Sequence, residues 1–82
     1  MTVRRLDDAT ISLEGVCPIE DAERLAQHLL AEPDSTVDWR ACDSAHTAVV
    51  QVLMASGARL TGPPRGTFLA NFVAPLIGSN QT

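Results

Sequence analysis

Val37-Asp38-Trp39-Arg40-Ala41-Cys42-Asp43-Ser44-Ala45-His46-Thr47-Ala48-Val49-Val50-Gln51-Val52-Leu53-Met54 is the most informative part of this 82-residue chain. It begins as a short strand over residues 37–39, passes through a polar loop, and continues as an almost wholly apolar helix over about 45–56. Asp43, Ser44, His46 and Thr47 fall within five residues of one another at the start of that helix. The first N–H groups of a helix have no intrahelical acceptor, so polar side chains gathered there act as caps, hold an anion or meet a partner. The rest of the chain reads as scaffold around this segment.

Working outward, residues 3–6 form a candidate first strand and Asp7-Asp8 a turn. Thr10-Ile11-Ser12-Leu13-Glu14 alternates apolar and polar, so it is a strand with Ile11 and Leu13 on one face, and Gly15 is expected to end it. Pro18 suits the first turn of a helix, and Glu20, Asp21 and Glu23 follow where the helix dipole favours negative charge. Ile19, Ala22, Leu25, Ala26, Leu29 and Leu30 recur at helical spacing and define its buried stripe, and Pro33 stops it. Downstream, Val49, Val50, Val52, Leu53 and Met54 leave the second helix little polar surface, so burial on most sides is expected. Gly57 caps it, residues 58–61 form another strand, and Gly62-Pro63-Pro64 breaks the chain. Phe68, Leu69, Phe72 and Val73 mark a third amphipathic helix that Pro75 ends or kinks. The expected fold is α/β: a small mixed sheet of about four strands with three helices, largely on one face. Residues 3–77 make a single domain and 78–82 a flexible polar tail.

Size and composition narrow the function. A chain of 82 residues is one domain. A domain of this size buries only about 60–65% of its unfolded surface, which leaves little room for a deep substrate pocket. Net charge is −4, and the six arginines (4, 5, 24, 40, 59 and 65) are scattered with no lysine at all. A nucleic-acid module needs a basic stripe, and Trp39, Phe68 and Phe72 are too few for a base-stacking platform, so no nucleic-acid partner is expected. No apolar run approaches the roughly 20 residues that cross a bilayer, and no apolar stretch follows Arg4-Arg5 to make a signal, so a cytoplasmic location without membrane insertion is expected. Cys17 and Cys42 match no zinc or redox spacing and read as buried free thiols.

Several residues in this pattern resemble the STAS domain family, the fold of anti-sigma-factor antagonists. In that family a strand of the form V-D-[LW] leads through a loop to D-[ST]-[SA]-G and an apolar helix. Val37-Asp38-Trp39, Cys42 and His46-Thr47-Ala48 follow this layout, with Val50, Val52, Leu53 and Met54 on the apolar helix positions. Leu13-Glu14-Gly15 and Asp21-Ala22 are similar to the family's L-x-G turn and the start of its first helix. Laid without gaps, the resemblance places Thr47 on the phospho-acceptor, His46 on the family's Asp and Val49 on its Gly. A second register through Asp43-Ser44-Ala45 makes Ser44 the acceptor, but it needs a shortened loop and puts Thr47 and Gln51 on apolar positions.

The resemblance implies a regulatory protein-interaction domain whose partner is a kinase-like anti-sigma factor or another regulatory protein, switched by phosphorylation at Thr47, with Ser44 as the second candidate. A non-phosphorylated STAS adaptor subunit of a transporter or sensory complex is the alternative. The expected partner surface comprises Asp38, Trp39, Arg40, Asp43, Ser44, His46 and Thr47. Of these, Asp43 and Ser44 are candidate N-caps, the Thr47 hydroxyl can cap in the first turn, and Trp39 either anchors a partner or serves as core or sheet cover, the commoner use. Arg40 is near enough to the loop to pair with a phosphate. Cys42 and His46 stand four apart with no orienting third group, so no thiol enzyme is expected. Cys42, Asp43 and His46 lack a fourth ligand, so neither metal nor cofactor is expected. The apolar third helix, with Phe68, Leu69, Phe72, Val73, Leu76 and Ile77, serves the core, with weak homodimerisation as its other use.

Overall fold

The structure, a computed structural model, describes residues 2–78. It is the expected α/β fold, a four-stranded mixed sheet with helices. Strands β1 (Val3–Arg5), β2 (Thr10–Cys17), β3 (Thr36–Ala45) and β4 (Arg59–Thr61) lie side by side in chain order. β1 is antiparallel to β2, while β2, β3 and β4 are mutually parallel. Each parallel step needs a crossover, supplied by helix α1 (Glu20–Ala31) and then helix α2 (Thr47–Ser56). After β4 the cis Gly62–Pro63 peptide redirects the chain into a π-helical turn at Leu69–Val73 and helix α3 (Ala74–Gly78). No described helix is long and apolar enough to cross a membrane.

The β1–β2 hairpin closes as expected at Asp7-Asp8, where Ala9 N–H donates to Asp7 Oδ1 and Leu6 N–H to Thr10 O. Arg5 ties this turn to the end of α1, donating to Asp7 O and His28 O. Gly15 does not end β2: at φ 69° it sits in an irregular ladder, and the strand runs on to Cys17. Pro18 precedes α1 by two residues, and its carbonyl accepts from Asp21 N–H at 3.0 Å. The buried stripe of α1 is narrower than its periodicity implies. Leu25 and Leu29 are buried, but Ile19 lies ahead of the helix and Leu30 points outward, 81% exposed.

One core lies between the sheet and the helices, built on Val3, Ile11, Leu13, Leu25, Val37, Trp39, Val49, Leu53 and Leu69. Both thiols, Cys17 and Cys42, are free and buried within it. The other sheet face is polar. The cross-strand row Arg4, Ser12, Asp38 and Thr61 runs over all four strands, and Ser12 donates to Glu14 at 2.9 Å.

Two helical expectations are corrected. α2 buries only Val49 and Leu53, with Met54 about half exposed, because in a two-layer fold one side of a helix has no layer to cover it. Pro75 does not end the last helix. It lies inside a helical run that is continuous from 67 to Gly78, directly after the π-helical turn Leu69–Val73, so the ladder is irregular beside the missing N–H but the helix goes on. Only Leu69 of this segment is fully buried, with Val73 and Ala74 packed against the core, while Phe68, Phe72 and Leu76 are exposed. The side chain of Ile77 and the tail over 79–82 lie outside the described residues.

Candidate functional site

The segment expected to be a loop after Trp39 is strand: β3 runs unbroken for ten residues to Ala45. Its ladder with β2 slips twice. Ser12 pairs with Asp38 and Glu14 with Ala41; Gly15 then pairs with Cys42 and Val16 with Ser44. At each slip β3 carries one extra residue, a β-bulge, and each bulge moves the inward-facing phase by one position. Val37 and Trp39 therefore face the core, then Cys42, while Asp43 and Ser44 are turned outward at the strand's end.

This end of the sheet carries the candidate site. β2 and β3 finish here and α1 and α2 begin here, the side of an open parallel sheet where α/β folds place ligands. His46 joins the two strand ends, its N–H donating to Cys17 O at 2.9 Å. It is also the N-cap of α2, with φ −59° and ψ 148°, and its Nδ1 accepts from Ala48 N–H at 3.0 Å. The ring therefore carries its hydrogen on Nε2. Asp43, Ser44 and the Thr47 hydroxyl do not cap this helix. Asp43 and Ser44 are still in β3, and Thr47 is already the first helical residue, exposed on the surface. No acidic residue stands in the first turn of α2, whereas Glu20, Asp21 and Glu23 occupy that of α1. The positive end of the α2 dipole is thus uncompensated by its own sequence. The far end closes on Gly57 in the left-handed conformation, φ 66°, as expected. His46→Ala is expected to cost about 1 kcal/mol in urea unfolding, and His46→Asp to retain most of that stability because a carboxylate caps the same N–H.

One ion pair borders the site and a second lies on the outer sheet face. Arg65 grips Asp43 with both guanidinium arms, Nε to Oδ1 at 2.7 Å and an Nη to Oδ2 at 2.9 Å, and also donates to Ala41 O. Its hydrogen bonds hold the Asp43 carboxyl below the usual carboxylate range. Arg40 likewise pairs with Asp38 two residues before it, holding that carboxyl low. Asp38 and Arg40 lie on the polar sheet face, away from the helices. Trp39, expected as a partner anchor, points the other way and is 2% exposed, so it belongs to the core. The seven expected contact residues therefore divide: Asp43, Ser44, His46 and Thr47 share the exposed corner, Asp38 and Arg40 share the outer face, and Trp39 is withdrawn. Arg65 was not singled out in the sequence, since 22 residues separate it from Asp43 and only the fold brings them together.

No family model, curated protein or solved structure matches this chain. Cys42 Sγ faces Cys17 and the Ser44 carbonyl, and His46 Nδ1 faces Ala48, so the two are not brought together as nucleophile and base. Among the described residues no group of three His, Cys, Asp or Glu side chains is placed to hold a metal ion. A groove of about 420 Å³ between α1 and α2, lined by Ala26, Leu29, Leu30, Pro33, Val52 and Ala55, is the apolar surface left by the uncovered side of α2.

Proposed function

We propose that this chain is a regulatory protein-interaction domain of the STAS type, whose contact surface is the corner where β3 passes into α2 and whose switch is phosphorylation of Thr47. The supporting observation is that Thr47 is exposed as the first residue of a helix whose first turn contains no acid. A phosphoryl group there sits at the positive end of the dipole and adds roughly −1.5 to −2 charges to the surface a partner must touch. Ser44, also exposed but on the strand, is the second candidate acceptor. The partner is a kinase-like anti-sigma factor or a regulatory protein of similar kind.

A non-phosphorylated adaptor is the second reading, favoured by one observation: His46, standing where the family has Asp, is already committed to capping Ala48. Affinity for a kinase-like anti-sigma factor separates the two. On the switch reading Thr47→Ala binds like the natural chain and Thr47→Glu binds at least about tenfold more weakly, a loss of about 1.4 kcal/mol. Equal binding by both variants leaves the adaptor.

A further inference from the structure

Cys17 and Cys42 have no part in the proposed contact surface, yet the fold places them together. Their sulfurs are 3.9 Å apart although 25 residues separate them in the chain. Each belongs to a different strand of the same parallel pair, β2 and β3, and both side chains are in the core. The geometry points to an oxidative modification site here: an intramolecular Cys17–Cys42 disulfide, formed by a small peroxide and reversed by thiols. A disulfide has its sulfurs about 2.05 Å apart, so closure needs an approach of roughly 1.9 Å from the present contact.

The surrounding backbone supplies the slack for that approach. One β3 bulge lies directly at the cysteines, where the ladder slips between Gly15/Cys42 and Val16/Ser44. Gly15 opposite Cys42 sits at φ 69° with open space where a side chain would be. The thiols also differ in character. The contact between the two sulfurs draws the Cys17 thiol down from its ordinary value, while that same contact and burial push Cys42 up, a direction that favours Cys17 as the attacking thiol and Cys42 as the resolving one. Cys17 gives up its proton and the thiolate attacks one peroxide oxygen; the O–O bond breaks, the departing hydroxide takes up that proton as water, and Cys17 is left as the sulfenic acid. Cys42 sulfur then attacks the Cys17 sulfur, the S–O bond breaks, and the Cys42 proton leaves with the departing oxygen as water. The two thiols lose two electrons and one hydrogen peroxide becomes two waters. Both cysteines are no more than 1% exposed, which selects an oxidant of this size.

The closed loop would enclose the whole of α1 and tie β2 to β3 beneath His46, whose N–H is bonded to the Cys17 carbonyl. Cross-links that close long loops raise stability by restricting the unfolded chain. The test treats the folded protein with dilute hydrogen peroxide, then alkylates in denaturant and maps the peptides. The expected product is a monomer with no alkylatable thiol, a Cys17–Cys42 cross-linked peptide, and a melting midpoint that rises and returns on adding dithiothreitol. Retention of both thiols, cysteines carried on to sulfinic or sulfonic acid, a disulfide between two chains, or unfolding on oxidation would each overturn the assignment. None of these outcomes depends on the phosphorylation reading, because no partner enters the experiment.

Discussion

Trp39→Ala is expected to lower the unfolding free energy by roughly 3–5 kcal/mol, the range for removing a large aromatic from a packed core. The indole is 2% exposed and packs within the single hydrophobic cluster, and a side chain at Gly62 would collide with its Nε1. A domain of 82 residues has a total stability of about 4–12 kcal/mol, so this one substitution takes much of it. Urea unfolding followed by circular dichroism measures the effect, since the chain's single tryptophan is lost in the variant. A partner anchor on the surface would behave differently: stability within about 0.5 kcal/mol of the natural chain and loss only of binding.

Gly66→Ala carries the second large effect, roughly 3 kcal/mol, at the upper end of what overpacking costs. A Cβ at Gly66 would run into the Asp43 carbonyl oxygen and lie 2.6 Å from its carbonyl carbon, both backbone atoms of β3 that cannot swing aside as the end of a side chain can. The close approach has a cause. β4 is only three residues long, and beyond it Gly66 N–H donates to Cys42 O at 2.9 Å, holding the far end of β3 in place of a strand. The substitution therefore also loosens the segment that carries Arg65 to Asp43, and faster hydrogen exchange at the residue 66 amide should accompany the loss of stability. Gly57→Ala serves as the comparison. It strains only the left-handed cap, with nothing near the new methyl group, and should cost about 1 kcal/mol.

The elements that a regular period describes were legible in the sequence. Ile11 and Leu13 alternate and form β2, Leu25 and Leu29 recur and form the buried line of α1, and Gly57 closes α2 where a left-handed residue was needed. The second half of β3 was not legible, because two bulges shift its inward phase twice in eight residues. Trp39, Cys42 and Ala45 cannot be read as one face by a period of two, and Asp43-Ser44 looks like a turn. The π-helical turn at Leu69–Val73 was hidden for a related reason, since the spacing of Phe68, Leu69, Phe72 and Val73 fits an ordinary helix equally well. Apolar composition misled at α2, where burial depends on how many layers the fold has and not on how many valines the helix carries. Of the site, the clustering of Asp43, Ser44, His46 and Thr47 was visible. Which of them caps the helix was not, and the Asp43–Arg65 clamp depends on a contact that no local pattern records.

Phosphoryl transfer to Thr47 is the decisive test of the proposed switch. The folded chain is incubated with a kinase-like anti-sigma factor and ATP, and the product is analysed by intact mass and peptide mapping. The expected result is a single phosphoryl group on Thr47, abolished by Thr47→Ala and unaffected by Ser44→Ala. A product without phosphate on either residue, or with phosphate on Ser44 alone, would contradict it.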